Sequence, residues 1–178
     1  MGGKDPYSAS KGCAELVFAS MFRSFFADPG KNPNLKIASA RAGNVIGGGD
    51  WAKDRIVVDC MKAWSLGQPA VIRSPNATRP WQHVLEPLSG YLWLASELGT
   101  RGPEGLHGEG FNFGPKEDAG RTVGDLIGSM QKIWTAGKIE IDPAGTQGKK
   151  EAGLLKLTCD RALLRLSWRA ALAYEETV

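Results

Sequence analysis

The sequence is short of the residues from which metal centres, disulfide frameworks and membrane spans are made. It holds three cysteines and two histidines in 178 residues. Cys13, Cys60 and Cys159 lie far apart, no Cys-x-x-Cys occurs, and only His83 and His107 stand to partner them. Neither a disulfide scaffold nor a zinc site is indicated. Cys13 and Cys60 fall among apolar residues at helical spacing, so both are expected as buried thiols, in keeping with a reducing cytoplasm. No stretch approaches the ~18 apolar residues of a transmembrane helix, and Met1-Gly2-Gly3-Lys4 has no apolar signal-peptide core. Charge of one sign is also scarce. The 22 basic and 19 acidic residues leave a net charge of +3 without any basic run, which gives nucleic-acid binding little support.

A further absence concerns phosphates. No Gly-x-Gly-x-x-Gly follows a predicted strand; the nearest set, Gly108, Gly110 and Gly114, has one residue too many and encloses the predicted strand 111–113 instead of opening a helix. The backbone cradle on which a dinucleotide pyrophosphate rests is therefore missing.

What is present fits one domain. A hydrophobic content of 42% with 23% charged residues is ordinary for a globular protein, and 23 Gly with 10 Pro predict many tight turns. Asp5 and Pro6 read as N-cap and first residue of a helix over 6–27, closed by Asp28-Pro29-Gly30. Its Ala14, Val17, Phe18, Met21, Phe22, Phe25 and Phe26 keep the i, i+3, i+4 spacing of one broad buried face. A strand over 35–41 follows, then a Gly-rich loop over 42–51, a helix over 54–66 ended by Gly67 and a strand over 69–73. Residues 73–83 read as a polar turn. A helix from Glu86 to Gly99 is expected to bury Leu88, Tyr91, Leu92, Leu94 and Ala95, with a loop over 102–110 after it. A strand over 111–113, a Thr122-capped helix to Trp134 and a strand over 138–141 come next, and 154–178 reads as a strand followed by helices. Helix and strand alternate as in parallel α/β units.

Three stretches carry candidate chemistry. Tyr7 and Lys11 stand four residues apart at the start of the first helix, one turn above each other on one face. A nearby ammonium favours the phenolate and makes a Tyr, whose ordinary pKa is about 10, a usable general base. The same spacing also arises in helices that carry only a surface pair. Asn44 lies with Gly47, Gly48 and Gly49 beyond a predicted strand, at the end where α/β sheets bind ligands, although a glycine-rich turn alone would explain it. Arg73, Arg79, Trp81 and His83 crowd one polar stretch; arginine forks suit phosphate oxygens, and exposed arginines are also simply solvated.

Taken together, Asp5-Pro6-Tyr7-Ser8-Ala9-Ser10-Lys11 with Ala14-Glu15-Leu16, Arg41-Ala42-Gly43-Asn44-Val45-Ile46-Gly47-Gly48-Gly49-Asp50-Trp51 and the stretch from Arg73 to Glu86, with its Arg79-Pro80-Trp81-Gln82-His83, resemble the extended short-chain dehydrogenase/reductase family, most closely its CDP-glucose 4,6-dehydratases. The resemblance covers nearly the whole chain. It implies that Tyr7 removes the proton of the sugar 4-hydroxyl and that Lys11 lowers the Tyr7 pKa, the two facing the nicotinamide ribose of NAD. It implies that Asn44 and Arg79 contact the substrate at its diphosphate, with Trp51, Arg55, Trp81 and His83 in matching substrate-binding segments. The partner so implied is a nucleotide-sugar of the CDP-glucose class.

In that family the glycine fingerprint and several strands precede the catalytic Tyr, whereas here Tyr7 nearly begins the chain. The expected fold is thus an incomplete Rossmann-like α/β portion. Residues 1–50 would be the catalytic helix and a late Rossmann strand, and 51–178 the nucleotide-sugar-binding portion. NAD is the family's cofactor, and this chain alone is not expected to hold it. The expected function is that of a dehydratase fragment inactive by itself, a homo-oligomer or the partner of a separate chain carrying the cofactor half. The alternatives are a noncatalytic self-associating module and a nucleotide-sugar epimerase or other sugar-nucleotide dehydratase.

Overall fold

Asp5 caps the first helix as its place before Pro6 predicts. Its Oδ1 accepts the Ser8 amide at 2.9 Å, and Pro6 sits in the first turn, where no amide has an intrahelical acceptor. The computed structural model describes residues 5–28, 30–100, 105–116, 120–142 and 155–178. They are α1 (Pro6–Met21), β1 (Ser39–Ala42), β2 (Asn44–Ile46), α2 (Ile56–Ser65), β3 (Ala70–Ile72), β4 (Thr78–His83), α3 (Leu85–Thr100), β5 (Gly110–Phe113), β6 (Gly120–Thr122), α4 (Val123–Ile133), β7 (Ile139–Ile141), α5 (Asp160–Leu166) and α6 (Tyr174–Thr177). The chain divides into two compact units.

The first unit comprises residues up to Arg41, Ser89–Asn112 and Cys159–Trp168. Here β1 pairs with β5, and the Ser39 amide donates to the Glu109 carbonyl at 2.9 Å. Leu94, Leu98, Leu106, Phe111, Ala162, Leu166 and Trp168 are buried. The indole of Trp93 donates to the Leu166 carbonyl at 2.7 Å and that of Trp168 to Ser89 Oγ at 3.1 Å, fastening α3 to α5 and the segment after it. His107 joins two segments: its Nδ1 accepts the Ile37 amide at 3.1 Å, and its Nε2 lies 2.9 Å from the Phe26 carbonyl. Phe22 meets the His107 ring edge-on at 4.9 Å between centroids.

The second unit comprises Ala42–Leu88, Phe113–Thr158 and Arg169–Val178. Its three-stranded sheet has the order β2-β4-β6, with β4 parallel to β2 and antiparallel to β6, and a separate parallel pair is formed by β3 and β7. Cys60 and Trp64 of α2, Ala70 and Ile72 of β3, Trp81 of β4, Leu126, Ile127 and Met130 of α4, and Tyr174 of α6 make one core cluster. Thr122 and Asp125 cap α4 reciprocally, as the sequence predicts.

Several expectations are corrected. The first helix is α-helical only to Met21 and ends in a π-helical turn, Phe22–Phe26, in which the Ala27 amide reaches back to the Phe22 carbonyl at 2.9 Å. Its apolar face is not buried: none of its residues is, and Leu16, Val17 and Met21 are exposed, as is Phe25 beyond them. Apolar spacing identifies the side that seeks cover, not whether a covering element is present. Cys13, on that helix, is exposed, whereas Cys60 is buried as expected. The first strand begins at Ser39, not at 35, and the glycine-rich loop contains the short strand β2. The polar turn over 73–83 is wrong for its second half, which is β4, the central strand of its sheet. In α3 the buried residues are Glu86, Pro87, Gly90, Leu94, Glu97 and Leu98, while Leu88, Leu92 and Ala95 are exposed and Tyr91 is half-buried, because apolar residues ring this helix and the close-packing Gly90 row faces inward. No strand precedes α5 among the described residues of 155–178, and Leu154 lies outside them, as do Met1–Lys4, Pro29 and the start of the 102–110 loop.

Candidate functional site

Tyr7 and Lys11 are brought together by the first two turns of α1. The Lys11 ammonium lies 5.5 Å from the centroid of the Tyr7 ring, close enough for electrostatic attraction to its face. Tyr7 is 66% exposed, so its hydroxyl is open to a ligand from solvent. Ser10 Oγ donates to the Tyr7 carbonyl at 2.7 Å, and the hydrogen bonds from Ser8 hold the Asp5 carboxyl below its usual range. Eight residues along the helix from Tyr7, Glu15 forks onto Arg41 of β1: Nε and Nη2 of the guanidinium each donate to a carboxylate oxygen at 2.6 Å. The sequence places Glu15 in the catalytic-helix motif but gives it no role of its own. Its place four residues beyond Lys11, on the same row, was the available signal.

The other sequence-predicted residues lie in the second unit. The parallel register of β2 and β4 sets Asn44 beside Trp81 and Ile46 beside His83. Asn44 is half-buried, next to Gly43, where a Cβ would stand 2.7 Å from the Pro80 carbonyl oxygen, so only glycine permits this approach of β2 to β4. Arg79 is buried and donates from Nη1 to the Thr78 carbonyl at 2.8 Å. Trp81 is enclosed in the core cluster, and its Nε1 has no hydrogen-bond partner among the described residues. Alternation puts Arg79, Trp81 and His83 on one face of β4. His83 Nδ1 accepts the Leu85 amide at 3.2 Å.

Trp51 is exposed at 67%; Lys62 donates to its carbonyl at 3.1 Å and lies 5.8 Å from the ring centroid. Arg55 is exposed at the N-cap position of α2, one residue after Asp54, whose φ of 60° is left-handed. Burial raises the Asp59 pKa, with the Asp54 charge adding to it.

Two motif residues to which the sequence assigns no site role anchor this unit. Gln82, nearly wholly buried, donates from Nε2 to the Phe113 carbonyl at 3.0 Å, and the Gly43 amide reaches the same oxygen at 3.3 Å. Glu86, also buried, accepts the Ala171 and Leu172 amides on Oε1 at 2.9 and 2.5 Å. Among the described residues no group of three His, Cys, Asp or Glu side chains could hold a metal ion, and no helix is long and apolar enough to cross a membrane.

No protein-family model matches the chain. Among curated proteins it is 46% identical to CDP-glucose 4,6-dehydratase of Salmonella typhimurium over an alignment of 185 positions that takes in all of this chain and 49% of that protein. Among solved structures it is similar to dTDP-glucose 4,6-dehydratase of Bacillus anthracis in complex with NAD, with a TM-score of 0.72, 13% identity and coverage of 99% of this chain and 50% of that one. It is also similar to UDP-glucuronic acid 4-epimerase of Bacillus cereus in complex with UDP-glucuronic acid and NAD, with a TM-score of 0.78, 18% identity and coverage of 97% and 50%. The chain has the mixed α/β fold of extended short-chain dehydrogenase/reductase enzymes and spans about half the length of the relatives it matches. The resemblance carried by the three motifs is borne out.

Proposed function

We propose that the chain carries the sugar-nucleotide side of a CDP-glucose 4,6-dehydratase-like site and does not complete the reaction alone. The observation that carries this reading is the 46% identity to a CDP-glucose 4,6-dehydratase along the full chain. Tyr7 is the base for the sugar 4-hydroxyl, and Lys11, whose ammonium lies beside its ring, faces the nicotinamide ribose. Asn44 and Arg79 take the diphosphate, where an arginine fork matches the oxygens. Trp51, Arg55 and His83 border the nucleotide-sugar, and Trp81 backs them from the core. NAD, where bound, accepts and returns the hydride. Tyr7 and Lys11 fit the ribose side of that cofactor, but Gly110, the middle glycine of the nearest candidate fingerprint, lies inside β5 and not at a helix start. In this reading the chain supplies the ribose side of the cofactor, and the pyrophosphate cradle lies outside its described residues. A cytoplasmic setting, where nucleotide-sugars are made, accords with this reading.

Calorimetric titration of the purified chain with CDP-glucose, dTDP-glucose and UDP-glucose tests it, followed by an assay for the 4-keto product with NAD added. The expected result is preference for CDP-glucose without turnover. Turnover by the isolated chain overturns the half-site claim, and preference for UDP-glucose moves the reading to an epimerase. Absence of binding to any of the three favours the noncatalytic, self-associating module, which the exposed Leu16, Val17 and Met21 of α1 would also suit.

A further inference from the structure

Helix α1 carries Tyr7 and Lys11, yet burial does not hold it in place, since none of its residues is buried. Among its ties to the strands of its unit is a polar clamp one turn beyond Lys11 on the row of the reactive pair. Glu15 takes two guanidinium bonds from Arg41 at 2.6 Å and a weaker one from Ser39 Oγ at 3.4 Å. Arg41 spends its remaining terminal nitrogen on Asn112 Oδ1 of β5, at 3.0 Å. One guanidinium thus ties a helix and two strands together. A bidentate fork is planar and directional, so it sets an orientation as well as a distance.

Gly110 supplies the seat. A Cβ built on it would collide with Arg41 Nη2 and come within 3.0 Å of Ser39 Oγ, so the guanidinium occupies space that any other residue on β5 would fill. Tyr7, Lys11 and Glu15 follow one another at four-residue intervals, which places the clamp at the far end of the row, ~12 Å from Tyr7 along the helix axis.

We propose that Glu15 and Arg41 are positioning residues: their ion pair, seated over Gly110, sets how the row bearing Tyr7 and Lys11 lies on the β1–β5 ladder. The proposal rests on the reading of Tyr7 and Lys11 as the reactive pair, but the clamp can be measured without any ligand. Cys13, exposed on α1, takes a nitroxide label in a Cys159→Ser background, and paramagnetic broadening is read at the amides of 39–42 and 110–113. Glu15→Gln, Arg41→Lys and Gly110→Ala are each expected to at least halve the broadening, and the exchanged pair Glu15→Arg with Arg41→Glu to restore it. Gly110→Ala guards against simple unfolding, because it displaces only the mobile end of one side chain and keeps the dispersion of the remaining amides. Unchanged broadening in Glu15→Gln and Gly110→Ala overturns the proposal. Full broadening in a chain that shows no preference for CDP-glucose overturns the functional reading of Tyr7 and leaves the clamp standing.

Discussion

Glu15 keeps its charge further into acid than an ordinary glutamate, because the Arg41 guanidinium hydrogen-bonds it and attracts it more than burial opposes ionisation. The hydroxyl and amide of Thr122 do the same for Asp125. For both, the folded pKa lies below the unfolded one. Their stabilisation is therefore complete above the unfolded pKa, roughly 4 for carboxyls, and is lost as pH falls through the folded value. The urea midpoint should fall on acidification below about pH 5, and less steeply in Glu15→Gln than in the parent. Coincident profiles would show that the Arg41 pair adds nothing to folding. At Cys60, burial first and Asp59 second push the thiol up to about 11, so it stays protonated and inert near neutral pH. Iodoacetamide should modify exposed Cys13 in the native chain and Cys60 only after denaturation, as read by mass spectrometry. Equal rates at the two would contradict the packing of α2.

At the scale of elements, Glu86 shows how one carboxylate joins the start of a helix to a distant segment. Its Oε1 collects the Ala171 and Leu172 amides just ahead of α6. Replacing it by alanine leaves two amides without their charged acceptor and should cost about 2–3 kcal/mol in urea unfolding. Amide exchange over 171–177 should quicken before the rest of the second unit; uniform quickening would mean that Glu86 acts on the unit as a whole. Glu86 was legible only as a helix opener, because the amides that donate to it lie 85 and 86 residues away. The capped starts of α1 and α4, the ends of α2 and the strands β3, β5 and β7 were legible for the opposite reason: their signals are local. Residues 78–83 read as a turn because Arg79, Pro80, Gln82 and His83 are polar or strand-breaking. They form a central strand because sheet neighbours on both sides and the Gln82 bond to Phe113 outweigh local preference. In the candidate site, the Tyr7–Lys11 proximity followed from helical spacing alone. The burial of Arg79 and Trp81 followed from long-range pairing and could not be read from the motif.

At the scale of the molecule, the question is what covers the apolar side of α1. Leu16, Val17, Met21 and Phe25 are 56%, 61%, 43% and 56% exposed, with Val17, Met21 and Phe25 at four-residue intervals and Leu16 beside Val17. Fully burying a side chain of this size yields about 1.5–3 kcal/mol, so even partial cover of four neighbours would support association at ordinary protein concentrations. Light scattering over a concentration series is expected to show mass rising above one chain, and Val17→Lys with Met21→Lys to return it to a monomer. Both positions lie ten or more residues from Tyr7, ~15 Å or further along the helix axis, so the paired variant should keep any preference for CDP-glucose. Association lost with binding retained separates the surface from the site and favours the half-site reading. Association and binding lost together would mean that neighbouring copies complete the site. A strict monomer at every concentration would show that the exposed face drives no self-association, and the same chain mixed with the unmatched half of a CDP-glucose 4,6-dehydratase then becomes the decisive sample. Co-elution of the two halves, abolished by the same two lysines, would identify that half as what the face is built to meet.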